Sequence, residues 1–493
     1  MHSPANPNRP QAPASAASAS SPAATLIDFV QPLGWLTLLI VPLSVYYAVD
    51  WDALQVTKSV GYCILILLCA VIMWVFRLLP DFVPSVFLLV GLLSLGVAPP
   101  EAVFSGYSSQ VFFLALSVLS LSSVIMSSGL SNRIMLFTMH KWRPKNKYLF
   151  SSIVFLFGLL ATPFIPSTNG RAALIAPFLQ DALKQIPPGS KEHQRLVVAL
   201  LAGISLLSPV FLSAKSINLL LWGMLSSQDQ YSFNYLFWMI AALLPGVILL
   251  VLFLIAQALL FFNREQITID AEMIERQYRA LPPVGRQEMV GCAALASFIL
   301  LVTTYSYHHI EIHLVAFILF FALLFFNIIN QKQISNSIDW GFLIFLGAMV
   351  GFTNVLQGLE LNDLVVTQFQ WLMRYVDDNI HLFIFLLSAL VFVIRLFITI
   401  NATVILLAGA LIPAVAVLGS YAWLVGFIIL MMSESFIWPY QASYYMQCNA
   451  VLGKRHFQAL HAPRVYAINA LVFALKLAAI YLSLPYWRLL GVL

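Results

Sequence analysis

The chain has 493 residues, 61% of them hydrophobic and 9% charged, with a formal net charge of +5 and a mean hydropathy of +0.90. Soluble proteins carry about 25% charged residues, so this composition excludes a soluble enzyme, gives no support to nucleic-acid binding, and defines an integral membrane protein. The apolar runs are long, which selects helices over barrel strands of roughly ten alternating residues.

Residues 1–24 are almost wholly Ala, Ser, Pro and Asn. Such a segment cannot bury enough surface to fold, so a disordered tail is predicted there; the first apolar run begins too late for a signal peptide. Apolar runs follow at about 33–49, 58–78, 82–98 and 110–129. Each is near the roughly 20 residues that a spanning helix needs, and 25–78 forms an N-terminal scaffold. Leu130 to Lys147 is amphipathic and carries Arg133, Lys141, Arg143, Lys145 and Lys147, the pattern of an interfacial helix on the cytoplasmic face.

The next segment, 148–182, contains Pro163-Phe164-Ile165-Pro166-Ser167-Thr168-Asn169-Gly170-Arg171. A helix broken at membrane depth is tolerated only where protein or a water-filled cavity covers the freed backbone groups. A re-entrant hairpin is therefore predicted, with about ten residues in its second arm. The span 194–225 is interrupted by Ser205, Ser208-Pro209, Ser213, Lys215, Ser216 and Asn218, and a return span runs over 233–262. The repeat beginning at residue 79 closes there. Residues 263–288, rich in both charge signs, read as a cytoplasmic linker.

From 289 to 493 the order recurs. Spans at about 289–306, 312–330 and 340–357 lead to an arm, Gly358 to Asn379, that carries Glu360, Asp363, Asp377 and Asp378 against Arg374 alone. A second hairpin, 380–418, breaks at Thr399 to Thr403; a span at 421–448 is interrupted around Ser433 to Ser443; a basic loop precedes the last span, 465–486. The fold class is thus an all-α polytopic membrane protein of about eleven transmembrane helices plus two re-entrant hairpins in an inverted repeat. The basic loops place the N-terminus in the cytoplasm, in an inner or plasma membrane.

Paired broken segments in two halves are the sequence mark of a transporter's binding site. Ser167, Thr168 and Asn169 at one tip and Thr399, Asn401 and Thr403 at the other supply hydroxyls and amides that donate to anionic oxygens, and helix ends meeting there add positive potential. Charges inside the bilayer are costly and mark function or pairing; here they are Arg171, Lys215, Arg395 and Glu434. The Arg171 guanidinium matches a carboxylate or sulfate bidentately, with a pairing role for the hairpin as the alternative. Lys215 adds a second positive charge. Arg395 either neutralises Glu434 or meets substrate, and Glu434 is a candidate proton carrier. His308, His309, His313, His456 and His461 lie at segment ends as ordinary interfacial residues. Cys63, Cys69, Cys292 and Cys448 lack CxxC spacing and read as small hydrophobes. No catalytic constellation, metal site or cofactor is predicted, so the chain is not read as an enzyme.

The layout resembles the divalent-anion/sodium symporter family, the dicarboxylate and sulfate carriers of the ion transporter superfamily. The resemblance covers most of the chain from about residue 80, through Gly106 to Gly129-Leu130-Ser131-Asn132-Arg133, Asp339-Trp340-Gly341 and Phe436-Ile437-Trp438-Pro439. Family members carry a Ser-Asn-Thr triplet at both tips; here Ser167-Thr168-Asn169 and Thr399-Ile400-Asn401 stand in those places. The family's sodium-binding turns look like Ala214-Lys215-Ser216-Ile217-Asn218, preceded by Ser213, and Ala442-Ser443-Tyr444-Tyr445, of which only Asn218 keeps its family residue. The resemblance implies an elevator carrier, a homodimer, with a small di- or tricarboxylate or sulfate as substrate. The altered turns argue for sodium-independent exchange or proton coupling, with the Lys215 ammonium as a tethered cation. Two alternatives stay open: a receptor or partner-binding protein on the same scaffold, and an arsenite- or citrate-metal-type carrier.

Overall fold

Two helices, each one half of an interrupted span, form the centre of the protein. In this computed structural model Glu192 to Ser205 and Ala422 to Ser433 are buried at every position. The structure describes residues 22–49, 57–142, 147–184, 186–262, 271–359, 369, 371–416, 421–436, 441–453 and 463–493, and all regular elements among them are helical.

Among the described residues nine helices are long and apolar enough to cross a bilayer, and five shorter apolar helices accompany them. The outer helices turn large apolar side chains outward, such as Leu259 at 75% exposure and Phe325 at 71%. So many exposed large apolar side chains match lipid rather than water.

Both hairpins are present. The first has arms Lys147–Ala161 and Thr168–Lys184, and the second Ile380–Phe397 and Ile400–Ala416. The second arm of the first hairpin has 17 residues rather than about ten, because the helix resumes at Thr168 as soon as the proline-containing break ends. At 1.5 Å per residue such an arm is about 26 Å long, still short of the roughly 30 Å hydrocarbon core. Each broken span also appears as expected. Lys191–Ser205 is followed by two single 3-10 turns and Ser216–Met224, and Ala422–Ser433 is followed, beyond four undescribed residues, by Ser443–Leu452.

Packing crosses between the halves. Ser443–Leu452, from the second half, packs on the hairpin arm Thr168–Lys184, while Ser216–Met224 packs on Ile400–Ala416. Each hairpin is thus held by the other half's broken span, which brings both breaks to one place. The halves also meet where Gly106 faces Gly347 and Gly351. A Cβ on Gly106 would stand 2.0 Å from the Gly347 carbonyl oxygen, so only glycine allows this approach.

Two expectations about connecting segments need adjustment. Most of the predicted tail lies outside the described residues, but its last three, 22–24, belong to the helix Pro22–Ala48. The charged linker is not featureless: it contains the helix Ala271–Arg279, and Tyr278 stacks on His140 of the interfacial helix Leu130–Trp142 at 4.7 Å. Arg133 of that helix also holds Glu288 at 3.0 Å. The acidic arm is described only at 358–359, 369 and 371–379, and the basic loop before the last helix, apart from Gly453, lies outside the described residues.

Candidate functional site

A cavity of about 910 Å3 lies where the two breaks converge. Its wall includes Ser167, Thr168 and Asn169 from the first tip, Thr399, Ile400 and Asn401 from the second, and Lys215, Ser216 and Ser443 from the two broken spans. These residues sit at the starts of the helices Thr168–Lys184, Ile400–Ala416, Ser216–Met224 and Ser443–Leu452. Four helix N-termini therefore border one chamber, and the positive dipole end of a helix favours a bound anion. Ser167, Asn169, Asn401 and Ser443 are all exposed, as side chains facing an open cavity are.

Local sequence explains the tips. Pro163 and Pro166 end the first arm, since proline cannot donate to the helical ladder. Ser167 then caps the second arm by accepting from Gly170 N at 3.1 Å. In the second hairpin Thr399 does the same for Ala402 N at 3.2 Å. Serine and threonine are strong caps because their oxygen satisfies an orphan helical N–H.

The remaining predicted residues lie just behind this wall, with other work. Arg171, expected to grip the anion, does not reach the cavity. Its fully buried guanidinium donates to the carbonyls of Ile204 (2.8 Å), Thr162 (3.1 Å), Ile165 (2.6 Å) and Ala214 (2.9 Å), and to Ser208 Oγ (2.9 Å). Those oxygens come from the hairpin break and from the break in the adjacent span, whose carbonyls have lost their helical partners. Arg395 does the equivalent in the other half. It donates to Ser433 O (2.8 Å), Ile398 O (2.5 Å), Ser435 O (3.4 Å) and Gln441 O (3.1 Å). Each arginine ties one hairpin to its own half's broken span, which is the pairing role rather than anion capture.

Thr403 is fully buried and returns its hydroxyl to Thr399 O at 2.8 Å. Ser213 donates to Pro163 O at 2.6 Å and meets Tyr235, and Asn218 donates to Ser208 O (2.8 Å) and Phe211 O (3.0 Å). These three side chains brace the breaks and do not line the cavity. Glu434 pairs with Lys215, so the counter-ion expected from Arg395 comes from the other half.

The cavity also includes residues that the sequence reading did not assign to the site. Arg77, Asp81, Phe342 and Asp339 form the wall opposite the tips, and Asn401 Nδ2 donates to Asp81 Oδ2 at 3.2 Å. Arg77 and Asp81 stand at span ends, where charge is ordinary, so nothing in the sequence marks them. Lys476 was findable: it lies in the middle of the last apolar run, and the reasoning that singled out Lys215 applies to it equally. It is 1% exposed and donates to Ser435 Oγ at 3.1 Å.

The described residues thus form a helical membrane protein in which two broken hairpins, four helix N-termini and a lysine border one cavity. Comparison with known proteins gives the family. The family profile for the sodium:sulfate symporter transmembrane region matches residues 33–493, and the chain belongs to that family. The inner membrane protein YbhI of Escherichia coli (strain K12) is 24% identical over 303 residues, 59% of this chain and 61% of that protein. The L-tartrate/succinate antiporter of Shigella dysenteriae serotype 1 (strain Sd197) is 25% identical over 259 residues, 50% of this chain and 52% of its own length. Both matches thus span little more than half of these relatives. Among solved structures, the Alcanivorax borkumensis YdaH transporter, described as having an unusual topology, superposes with a TM-score of 0.51 at 14% identity, covering 88% of this chain and 98% of that one. It supports the fold alone.

Proposed function

We propose that the protein is a secondary active carrier of a small divalent anion, a di- or tricarboxylate or sulfate, that works without sodium. The observation that carries this reading is the convergence of four helix N-termini and Lys215 on one cavity shared by both tips. The similarity to a protein named as an L-tartrate/succinate antiporter favours dicarboxylate exchange over sulfate uptake.

Sodium independence follows from where the carbonyl oxygens go. A small cation at the breaks would need those oxygens as ligands, and the Arg171 and Arg395 guanidiniums already take them. Lys215 sets a fixed positive charge beside the substrate in place of a mobile one. Among the described residues, those at the two breaks offer a sodium ion few free carbonyl oxygens.

The movement we propose is an elevator. Hairpins, broken spans and the last helix form a transport unit cross-braced by both arginines, and it slides past the wall that carries Arg77, Asp81 and Asp339. In this reading the N-terminus lies on the cytoplasmic side, the side of the basic loops. Dimerisation through the scaffold completes the proposal. The purified protein, reconstituted in proteoliposomes loaded with succinate, tartrate or sulfate, should take up the labelled anion equally in sodium and choline media. Lys215→Met should abolish that uptake. An uptake-silent protein whose thermal stability no such anion raises would instead be a receptor on a carrier scaffold.

A further inference from the structure

Behind the Lys215–Glu434 pair lies a second, smaller chamber of about 40 Å3, whose polar lining is Ser205, Glu434, Ser435, Tyr444, Asn469 and Lys476. A cavity needs about 10–15 Å3 to accept one water molecule, so this chamber has room for water. Lys215 belongs to the wall of the main cavity and Glu434 to the wall of the small one. The ion pair is therefore part of the partition between them.

Two groups in the small chamber are incompletely satisfied. Glu434 gives Oε1 to Lys215, while its buried Oε2 has no hydrogen-bond partner among the described residues. Lys476 has its ammonium on the Ser435 hydroxyl, and among the described residues no carboxylate lies within salt-bridge distance of it. A buried charge is retained only with a partner, and otherwise gives up its proton. Glu434 can serve either lysine, but not both equally well.

We infer that Lys476 is a proton-binding site linked to anion binding through Glu434, an inference that rests on the anion site proposed above. In the empty carrier Glu434 pairs with Lys215. A dianion entering the main cavity offers Lys215 new negative oxygens, and Glu434 turns into the small chamber toward Lys476. The Lys476 nitrogen lone pair then takes a proton from chamber water, which is made good from solvent; no other covalent bond forms or breaks. Release of the anion reverses both steps. The charged groups acting on Lys476 are Glu434, Lys215 and Arg395. Glu434 is thus the counter-charge against which the proton is held.

Calorimetric titration of the purified protein with succinate and with sulfate, at one pH in buffers of different ionisation enthalpy, tests this. The wild type should show a binding heat that changes linearly with buffer enthalpy, with a slope of about one proton per anion. Lys476→Met should bind with no slope. Lys476→Arg keeps the charge but never releases a proton, so it guards against a folding defect and should also bind with no slope. A wild type that binds either anion without a slope, or a Lys476→Arg variant that keeps the full slope, overturns the proton site while leaving the anion site intact. A wild type with neither binding heat nor thermal stabilisation by any of these anions overturns the carrier reading, and this inference with it.

Discussion

Lys215 and Glu434 lie 219 residues apart in sequence and form a buried ion pair between the two halves of the protein. Removing one member of such a pair strands the other charge, at about 3–5 kcal/mol. Glu434→Gln should therefore lower the thermal stability of the solubilised protein strongly, and Lys215→Met/Glu434→Gln should recover most of the loss. The double variant should still not transport, because the cavity has lost its fixed positive charge. Thermal unfolding and uptake measured on the same preparations check both parts.

Arg171 and Arg395 predict a different phenotype. Each guanidinium satisfies carbonyls at two breaks that nothing else in the helical ladder can reach, and an orphaned buried polar group costs about 1–3 kcal/mol. Arg171→Ala and Arg395→Ala should each lose more than about 3 kcal/mol, seen as poor recovery of folded protein. Lys at either position keeps the charge without the planar fork and should restore only part of the stability. An Arg171→Lys protein with full stability but no anion affinity would put the guanidinium at the substrate instead.

The Asn401–Asp81 hydrogen bond, at 3.2 Å, joins the second tip to the opposite wall of the cavity. In an elevator this contact must break once per cycle. An exposed bond of this kind contributes about 0.5–1.5 kcal/mol. Asp81→Ala should change the exchange rate by roughly two- to twelvefold, as that energy implies, and leave the anion Kd within about twofold. An altered Kd at unchanged rate would make Asp81 part of the binding site rather than a latch.

Gly106 offers a test of the fold alone. With the Gly347 carbonyl 2.0 Å from where its Cβ would be, Gly106→Ala forces the two halves apart and should destabilise by about 1–3 kcal/mol or more. Gly96, with nothing within 4 Å of a built Cβ but a positive φ of 61°, should pay only the smaller backbone strain. Comparing the two variants by thermal unfolding separates close packing from conformational preference.

Much of this arrangement was legible in the sequence because the bilayer simplifies the reading. Apolar runs of spanning length and two polar breaks at corresponding positions were enough to find the paired hairpin arms and the broken spans. Ser167, Asn169, Asn401 and Lys215 were found at the cavity for the same reason. The sequence did not distinguish facing the cavity from facing the breaks. Arg171 lies two residues beyond Asn169, and at 100° per residue that turns it from the chamber to the carbonyls behind it. Arg77 and Asp81 were hidden at span ends, and Lys476 within an otherwise apolar run without a break to draw attention to it.

The most direct measurement is counterflow by the purified protein in proteoliposomes preloaded with an unlabelled dicarboxylate or sulfate, with sodium, choline or no added alkali cation outside. The predicted result is rapid uptake of the labelled anion at the same rate in all three media, and none with Lys215→Met. Uptake that requires sodium, or that persists at the wild-type rate in Lys215→Met, would contradict a carrier whose positive charge is built into the chain.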